Sequence, residues 1–402
     1  MNKVIAASNG MDAIEELLTR GVEKIYPSKG ELEKVLKSGK KLKLYNGIDP
    51  TGAHLHLGHM VVLRKLRQFQ NLGHETIILI GDFTARIGDP TDKSSTRYRL
   101  TKKQVEENSA NYEKTIGKLL DLSRSNIRFL HNAKWTNKLT PEDMLDLASN
   151  FTVSQLLERD MFQERIKTGK EVFLHEFLYP VFQAYDSVTM DVDLEIGGND
   201  QTFNMLAGRA LIKKLKSKEK YVLTTRLLTD QSGKKMGKTE GNLIALDEEP
   251  KEMFGKVMAW SDEMIALGLE LLTDTPMHEM QTDNILANPM KYKKKLAFEI
   301  VKQLNDEKAA LNAQESFIKT IQGEELPTDI PIYLQSNPHQ NIIDLLVDAK
   351  LAESKTSAKR LIEQGGVSVD NKIIKPNEKV VLSDGSILKV GKRKFVKIKI
   401  KR

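Results

Sequence analysis

Chemistry is legible first in the stretch Tyr45-Asn46-Gly47-Ile48-Asp49-Pro50-Thr51-Gly52-Ala53-His54-Leu55-His56-Leu57-Gly58-His59. It reads as a buried strand, a tight turn, and the first turn of a helix. That helix continues through Met60, Val61, Val62, Leu63, Leu66 and Phe69, apolar at helical spacing. A strand-to-helix junction offers unpaired backbone N–H groups and the positive end of the helix dipole, which suits a phosphate. Gly58 allows close approach to the backbone, and His56 and His59, three apart, share one face of the first turn. Zinc ligation by His54, His56 and His59 is disfavoured, because the chain has no cysteine and no His-Glu-x-x-His frame. Histidines serving only as polar helix caps remain the competing reading.

Four further constellations carry polar chemistry. Lys234-Lys235-Met236-Gly237-Lys238-Thr239 follows Gly233, but three residues between the glycines are one too few for a P-loop. A loop bearing three lysines and a threonine can still close over a triphosphate, or be an ordinary solvated basic loop. Gly197-Gly198-Asn199-Asp200-Gln201 sits at the carboxyl end of a strand, where open parallel sheets bind ligands. There Asp200 suits ribose hydroxyls, against a simple Asx-capped turn. Tyr179, Gln183 and Asp186 lie at i, i+4 and i+7 on one helical face, as a subsite for an amino acid or as a structural polar network. The loop from Ile87 to Arg97 offers Asp89 to an ammonium and two cations, Lys93 and Arg97.

The elements that must position these groups alternate. Candidate strands are Leu42–Ile48, Thr76–Asp82, Ile127–His131, Val192–Gly197 and Tyr221–Leu228, with helical patterns such as Lys102–Leu120 and Pro141–Asp160 between them. The expected fold is α/β, a Rossmann-like parallel sheet with crossovers on both faces, although no G-x-G-x-x-G occurs. Residues of about 100–190 exceed one crossover and read as a helical insertion. The expected organisation is a catalytic domain over 1–249, an all-α domain over 250–323, a proline-bearing linker over 324–340 and a small α+β tail over 341–402. The tail combines two short helices with strands expected at Val367–Val369, Val380–Leu382, Ile387–Val390 and Phe395–Ile400.

Composition narrows the class. At 402 residues, 40% hydrophobic and 29% charged, the chain is typical of a globular protein. No run of eighteen apolar residues suggests a membrane span, and the N-terminus lacks a signal-peptide pattern. The absence of cysteine excludes disulfides and thiolate catalysis and fits a cytoplasmic location. Charge is uneven: residues 341–402 hold 15 Lys/Arg against 7 Asp/Glu, a net of +8 within a total of +7. A near-neutral body with a basic tail points to a polyanion as the partner of that tail, or to a solubilising tail.

Taken jointly, the His-Leu-Gly-His turn and the Lys-Met-Gly-Lys-Thr loop resemble the two signatures of class I aminoacyl-tRNA synthetases. The Asp-Pro-Thr before the histidines, Ile87-Gly88-Asp89-Pro90, Tyr179/Gln183/Asp186 and Gly197–Gln201 make the chain similar to the bacterial-type tyrosyl-tRNA synthetases, over almost its whole length. The resemblance implies an S4-type RNA-binding tail, a helical anticodon-binding domain, a homodimer formed through the insertion, and L-tyrosine, ATP with Mg²⁺ and tRNA(Tyr) as partners, with no protein-ligated metal. It places Tyr45 and Asp186 at the substrate hydroxyl. Asp89, Tyr179 and Gln183 fall at its ammonium, and Gln201 near its backbone. Gly47, Asp49, Gly58, Gly198, Asp200 and Lys238 would line the nucleotide. Thr51, His56, His59, Lys93, Arg97, Lys235, Lys238 and Thr239 would stabilise the transferring phosphate. The second signature carries Gly237 and Thr239 where its best-known form has serines, and His54 adds an imidazole without an assigned role. Three rivals stand beside this reading: a tryptophanyl-tRNA synthetase, another His-x-Gly-His nucleotidyltransferase, and a non-catalytic RNA-binding protein of the same fold.

Overall fold

Alternation of buried apolar runs with amphipathic helices produces a six-stranded sheet. The computed structural model describes residues 13–90, 99–229, 243–322, 330–335, 341–370, 372–376, 380, 382–391 and 394–400. The strands are β1 (Val22–Tyr26), β2 (Lys43–Ile48), β3 (Glu75–Ile80), β4 (Ile127–His131), β5 (Leu194–Gly198) and β6 (Tyr221–Thr225), in the order β1-β6-β5-β2-β3-β4. All neighbours pair in parallel except β1, which runs antiparallel to β6 at the edge. β1 escapes the sequence pattern because Val-Glu-Lys-Ile-Tyr buries only Ile25 fully, giving neither a continuous apolar run nor a clean alternation.

This strand order carries a functional consequence. From β2 the chain proceeds through β3 to β4 on one side, whereas β5 and β6 lie on the other. The order therefore reverses between β2 and β5, and the space outside their carboxyl ends is the usual place of a ligand crevice in such sheets. Asp49 follows β2 directly and Asn199–Gln201 follows β5.

The helix Leu57–Asn71 after β2 buries Met60, Val61, Val62, Leu63, Leu66 and Phe69, as its periodicity requires. The patterns expected over Lys102–Leu120 and Pro141–Asp160 are each broken into shorter helices, Lys102–Ser109 with Tyr112–Ile116 and Pro141–Ala148 with Val153–Leu157. Thr101, Thr140 and Thr152 start three of them through reciprocal capping boxes.

Two compact units divide the chain, residues 1–310 and 311–402. Helices Pro250–Met258, Met264–Leu272 and Pro289–Leu304 fall in the first unit with the sheet. Arg20, before β1, inserts a buried guanidinium that donates to the carbonyls of Leu269, Thr273 and Thr275 at 2.7–3.0 Å, capping the end of Met264–Leu272.

In the second unit the strands β7 (Ile332–Gln335), β8 (Val367–Val369), β9 (Lys372–Ile373), β10 (Ile387–Val390) and β11 (Lys394–Ile400) are ordered β7-β11-β10-β8-β9. β7 lies inside the stretch expected to be a linker. It is four residues between Pro331 and Pro338, too short to show a period, and it pairs in parallel with β11. Val380 and Leu382, expected in a strand, are not in one; the second hairpin arm is β9. Helices Ile342–Asp348 and Lys355–Glu363 close the core with Leu345, Leu346, Ala358 and Ile362 against Leu388, Val396 and Ile398.

Candidate active site

The crevice is built first from backbone. His56 is the N-cap of Leu57–Asn71, and its Nδ1 accepts from Gly58 N–H at 3.1 Å. His59 Nδ1 in turn accepts from His56 N–H at 3.1 Å, so the pair forms a capping box from two imidazoles, with ring centroids 4.1 Å apart. An Nδ1 that accepts a backbone N–H is unprotonated, so the neutral ring carries its proton on Nε2. Capping and function are thus compatible: the cap fixes the tautomer and orientation, and each ring turns its N–H donor to the side away from the capped backbone.

The segment after the lysine-rich stretch is stitched to this turn. Leu57 N–H donates to Ile244 O at 3.1 Å and Leu246 N–H to Leu55 O at 2.8 Å. His54 Nδ1 lies 2.9 Å from Asp247 Oδ2, which gives the third imidazole a place as an exposed clasp on the same seam. Thr51 sits exposed in the turn, with its N–H 2.7 Å from Asp49 O. From the insertion, Asn108 holds Pro50 O at 2.8 Å and Tyr112 holds Gly52 O at 2.6 Å. Lys93, Arg97, Lys235, Lys238 and Thr239 lie outside the described residues.

Behind the turn runs a continuous polar network. Asp49 accepts from Thr84 Oγ1 at 2.7 Å and from Tyr179 Oη at 2.9 Å. Gly81 is obligatory there, because a Cβ would stand 1.9 Å from Asp49 Oδ1. Asn132, buried, donates to Thr84 Oγ1 at 3.0 Å and to Asp186 Oδ2 at 3.1 Å, while its Oδ1 accepts Phe83 N–H. Trp135 Nε1 donates to the other oxygen of Asp186 at 2.7 Å. Asp186 is 2% exposed, and burial raises its carboxyl pKa to about 8 against the two N–H donors that favour the anion. A carboxyl held by two fixed donors in an enclosed site is suited to recognise a hydroxyl.

Across the crevice, Gln201 Nε2 donates to Asp89 Oδ2 at 2.6 Å, and Asn204 fixes that amide by donating to Gln201 Oε1 at 2.9 Å. Arg159, from the insertion, approaches Asp89 Oδ1 at 3.5 Å with its guanidinium over Phe203. Gly198 leaves room for Asp200: a Cβ there would stand 2.4 Å from Asp200 Oδ1. Gly47 is exposed near the end of β2, and Gly58 lies within the first turn of the capped helix. Tyr45 is fully enclosed among Ile77, Leu79, Met190 and Val192, its hydroxyl 2.9 Å from Ser187 Oγ. Gln183 Nε2 donates to Glu195 Oε1 at 2.9 Å.

The fold thus gathers Asp49, Thr51, His56, Gly58, His59, Asp89, Tyr179, Gln183, Asp186, Asp200 and Gln201 around the carboxyl ends of β2, β3 and β5. Sequence reasoning missed Thr84, Asn132, Trp135, Arg159, Ser187, Glu195 and Lys220. For Asn132 and Trp135 a signal existed, since polar and aromatic residues directly follow a strand at its carboxyl end.

Residues 37–322 match the model of the tRNA synthetases class I (W and Y), and residues 341–385 match the S4 domain. The chain is 43% identical to a tyrosine–tRNA ligase of Thermotoga maritima over 390 residues, covering 95% of this chain and 96% of that one. It is also 43% identical to a tyrosine–tRNA ligase of Dehalococcoides mccartyi over 392 residues, 96% and 98% of the two chains. Among solved structures, the C-terminally truncated mitochondrial tyrosyl-tRNA synthetase of Coccidioides posadasii superposes with a TM-score of 0.62 at 24% identity, over 77% of this chain and 92% of that one. The tyrosyl-tRNA synthetase of Archaeoglobus fulgidus complexed with L-tyrosine gives 0.59 at 21% identity, over 75% and 100%. With its reversed strand order, its imidazole-capped helix and an S4 domain later in the sequence, the chain belongs to the class I tRNA synthetases of the tryptophan and tyrosine group.

Proposed function

We propose that this protein activates L-tyrosine with ATP, giving tyrosyl-adenylate and pyrophosphate, and transfers the tyrosyl group to the terminal ribose of tRNA(Tyr). The observation that carries the choice of amino acid is Asp186, buried and held by Trp135 and Asn132 at the inner end of the crevice. A phenol donating to that carboxylate adds a third hydrogen bond, whereas phenylalanine adds none and sets an apolar edge against an enclosed carboxylate. A site built to bind a substrate hydroxyl rejects the analogue lacking it far more strongly than an apolar pocket rejects a missing methylene, and tyrosyl-tRNA synthetases are themselves the standing example of that rule. Tyr45 stands beside it, its hydroxyl tied to the residue after Asp186.

The substrate ammonium meets Asp89, Tyr179 and Gln183, with Gln201 near the substrate backbone. Gly47, Asp49, Gly58, Gly198 and Asp200 line the nucleotide. A carboxylate is nucleophilic at neutral pH, so attack on the α-phosphorus needs no general base. It needs alignment and stabilisation of charge on the phosphate oxygens. The helix N-terminus and the Nε2–H groups of His56 and His59 serve this purpose, with Thr51 and the cations Lys93, Arg97, Lys235 and Lys238 and the hydroxyl of Thr239. Mg²⁺ enters with ATP as part of that substrate.

Domain roles follow: catalysis in 1–249, anticodon contact in the helices of 250–323, and RNA-backbone contact in 341–402. β11 presents Lys397 and Lys399 to solvent in alternation with buried Val396 and Ile398, and Lys359 and Arg360 are exposed on the helix Lys355–Glu363 of the same unit, cations available to phosphates. Leu145, Val153 and Leu174 in the insertion are 70–78% exposed, apolar side chains that homodimerisation would cover. A tRNA partner is in keeping with a cytoplasmic location.

Amino-acid-dependent exchange of pyrophosphate into ATP tests the reading. Exchange is expected with tyrosine and not with tryptophan or phenylalanine; exchange with tryptophan instead overturns it.

A further inference from the structure

Lys220 is a fully buried ammonium that the activity proposed above does not use. It immediately precedes β6, and its Nζ donates to Ser187 Oγ at 2.7 Å, to Met205 O at 3.3 Å and to Glu195 Oε2. All three ammonium hydrogens therefore have acceptors. The space was made for it: a Cβ on Gly208 would stand 2.6 Å from Nζ and 2.8 Å from Ser187 Oγ. A buried ion pair is a poor device for stability, since apolar residues of the same shape commonly serve the fold as well or better. Its geometry suggests another purpose.

Glu195 divides its two oxygens. Oε2 is taken by Lys220 and Oε1 accepts from Gln183 Nε2 at 2.9 Å. An ionised carboxylate can only accept, so Gln183 must turn its Nε2 toward Glu195 and its carbonyl Oε1 the other way. A carbonyl oxygen is the end of the amide that an ammonium needs.

We propose that Lys220 is a positioning residue for the amino-acid subsite: by holding Glu195 as an ionised acceptor, it fixes the Gln183 amide with its oxygen toward the substrate ammonium. Burial lowers the pKa of Lys220, and the carboxylate of Glu195 opposes that shift, in keeping with a pair whose charges sustain each other. The inference rests on the reading of Gln183 as an ammonium contact.

A substitution cycle tests it. In E195Q, Lys220 claims the new amide oxygen, the new NH₂ faces Gln183, and Gln183 must flip its own NH₂ toward the substrate ammonium. In K220M/E195Q that compulsion is gone, and the amide introduced by E195Q can turn its oxygen back to Gln183. E195Q is expected to raise the tyrosine KM by about tenfold or more while the KM for ATP stays within about twofold; the double variant returns the tyrosine KM to within about threefold of the parent. An unchanged tyrosine KM in E195Q, or a double variant no better than E195Q, overturns the proposal. If E195Q does not fold, K220M decides through two inhibitors. Weaker inhibition by tyramine with unchanged inhibition by 3-(4-hydroxyphenyl)propionate, which lacks the ammonium, supports it; equal weakening of both, or of neither, overturns it. Q183A separates the layers. If it leaves the tyrosine KM unchanged, the subsite reading fails; if it raises that KM while E195Q does not, only the role of Lys220 fails.

Discussion

If Asp186 meets the substrate phenol, as proposed, its carboxyl makes tyrosine recognition a protonation equilibrium. In the empty crevice burial holds its pKa at about 8, with Asp49 and Glu195 adding repulsion and the N–H groups of Asn132 and Trp135 opposing it. A bound tyrosine contributes a third donor, its phenol, to a carboxyl whose two oxygens already accept one N–H each. Three donors favour the anion, so binding selects the ionised form and expels a proton. The sign follows: lowering the pH below 8 protonates the empty site and weakens tyrosine. At pH 7 about one site in ten is ionised and at pH 6 about one in a hundred, so the tyrosine Kd rises about tenfold for each unit below about pH 8. Phenylalanine offers no donor and gains nothing from the anion, so its weak affinity does not fall as the pH is lowered over the same interval. Isothermal titration at about pH 6, 7 and 8, in two buffers of different ionisation enthalpy, reads both the affinity and the proton released. D186N removes the titration and is expected to bind tyrosine weakly and independently of pH. A tyrosine affinity that is level across this interval, or a phenylalanine affinity that follows the same slope, refutes the reasoning.

Further predictions concern the elements around that carboxyl. W135F deletes the 2.7 Å donor to Asp186 and is expected to cost about 1.5–3 kcal/mol of tyrosine binding, leaving the ATP KM unchanged in pyrophosphate exchange. H56A removes an N-cap and, on the proposed function, a phosphate donor; a loss of about 1 kcal/mol in denaturant unfolding should accompany a fall of about 10²-fold or more in the activation rate, with the tyrosine KM preserved. Removing residues 330–402, so that β7 leaves with its sheet, is expected to weaken tRNA charging and its salt dependence while sparing adenylate formation; equal loss of both activities contradicts it. Lys65, buried and donating to Leu17 O and Arg20 O, has its pKa lowered to about 7 by burial. The unfolded chain then binds the extra proton between about pH 7 and about 10, so stability rises with pH there, by up to about 4 kcal/mol, and K65M should lose that slope in thermal scans.

What the sequence disclosed was local. The His56 cap, the apolar stripe of Leu57–Asn71 and the strands Lys43–Ile48 and Ile127–His131 are set by neighbours within one or two turns, and spacing alone shows them. Tyr179, Gln183 and Asp186 were visible for the same reason, sharing one face of the helix Leu174–Met190. Their partners were not. Asn132 and Trp135 reach Asp186 from 54 and 51 residues away, and Lys220 reaches Ser187 from 33, because β4 and β6 fall at particular places in the strand order. No local period encodes that order. The edge strand β1 and the short strand β7 were lost to the opposite difficulty: β1 buries only Ile25 fully and so shows no pattern, and β7 has four residues.

The difference between these two kinds of residue has a physical logic. Groups proposed to meet the triphosphate occupy a helix terminus, where the backbone supplies half the chemistry and the side chain needs only the right tautomer; a short motif suffices. Groups proposed to meet the amino acid must be held against burial. Asp186 stays usable only because Trp135 and Asn132 donate to it, Asn132 is pinned by Phe83 N–H, and Thr84 passes the same network on to Asp49 and Tyr179. Substituting Thr84 by Val tests this directly. Asp49 loses a 2.7 Å donor and Asn132 an acceptor, at the point where the nucleotide side and the phenol side of the crevice meet. If the two sides are one network, T84V weakens tyrosine and ATP together, by about 1–3 kcal/mol across both. If they are independent, only the ATP KM moves, because Asp49 alone would lose its orientation, and the continuity argued from these distances would have no energetic content.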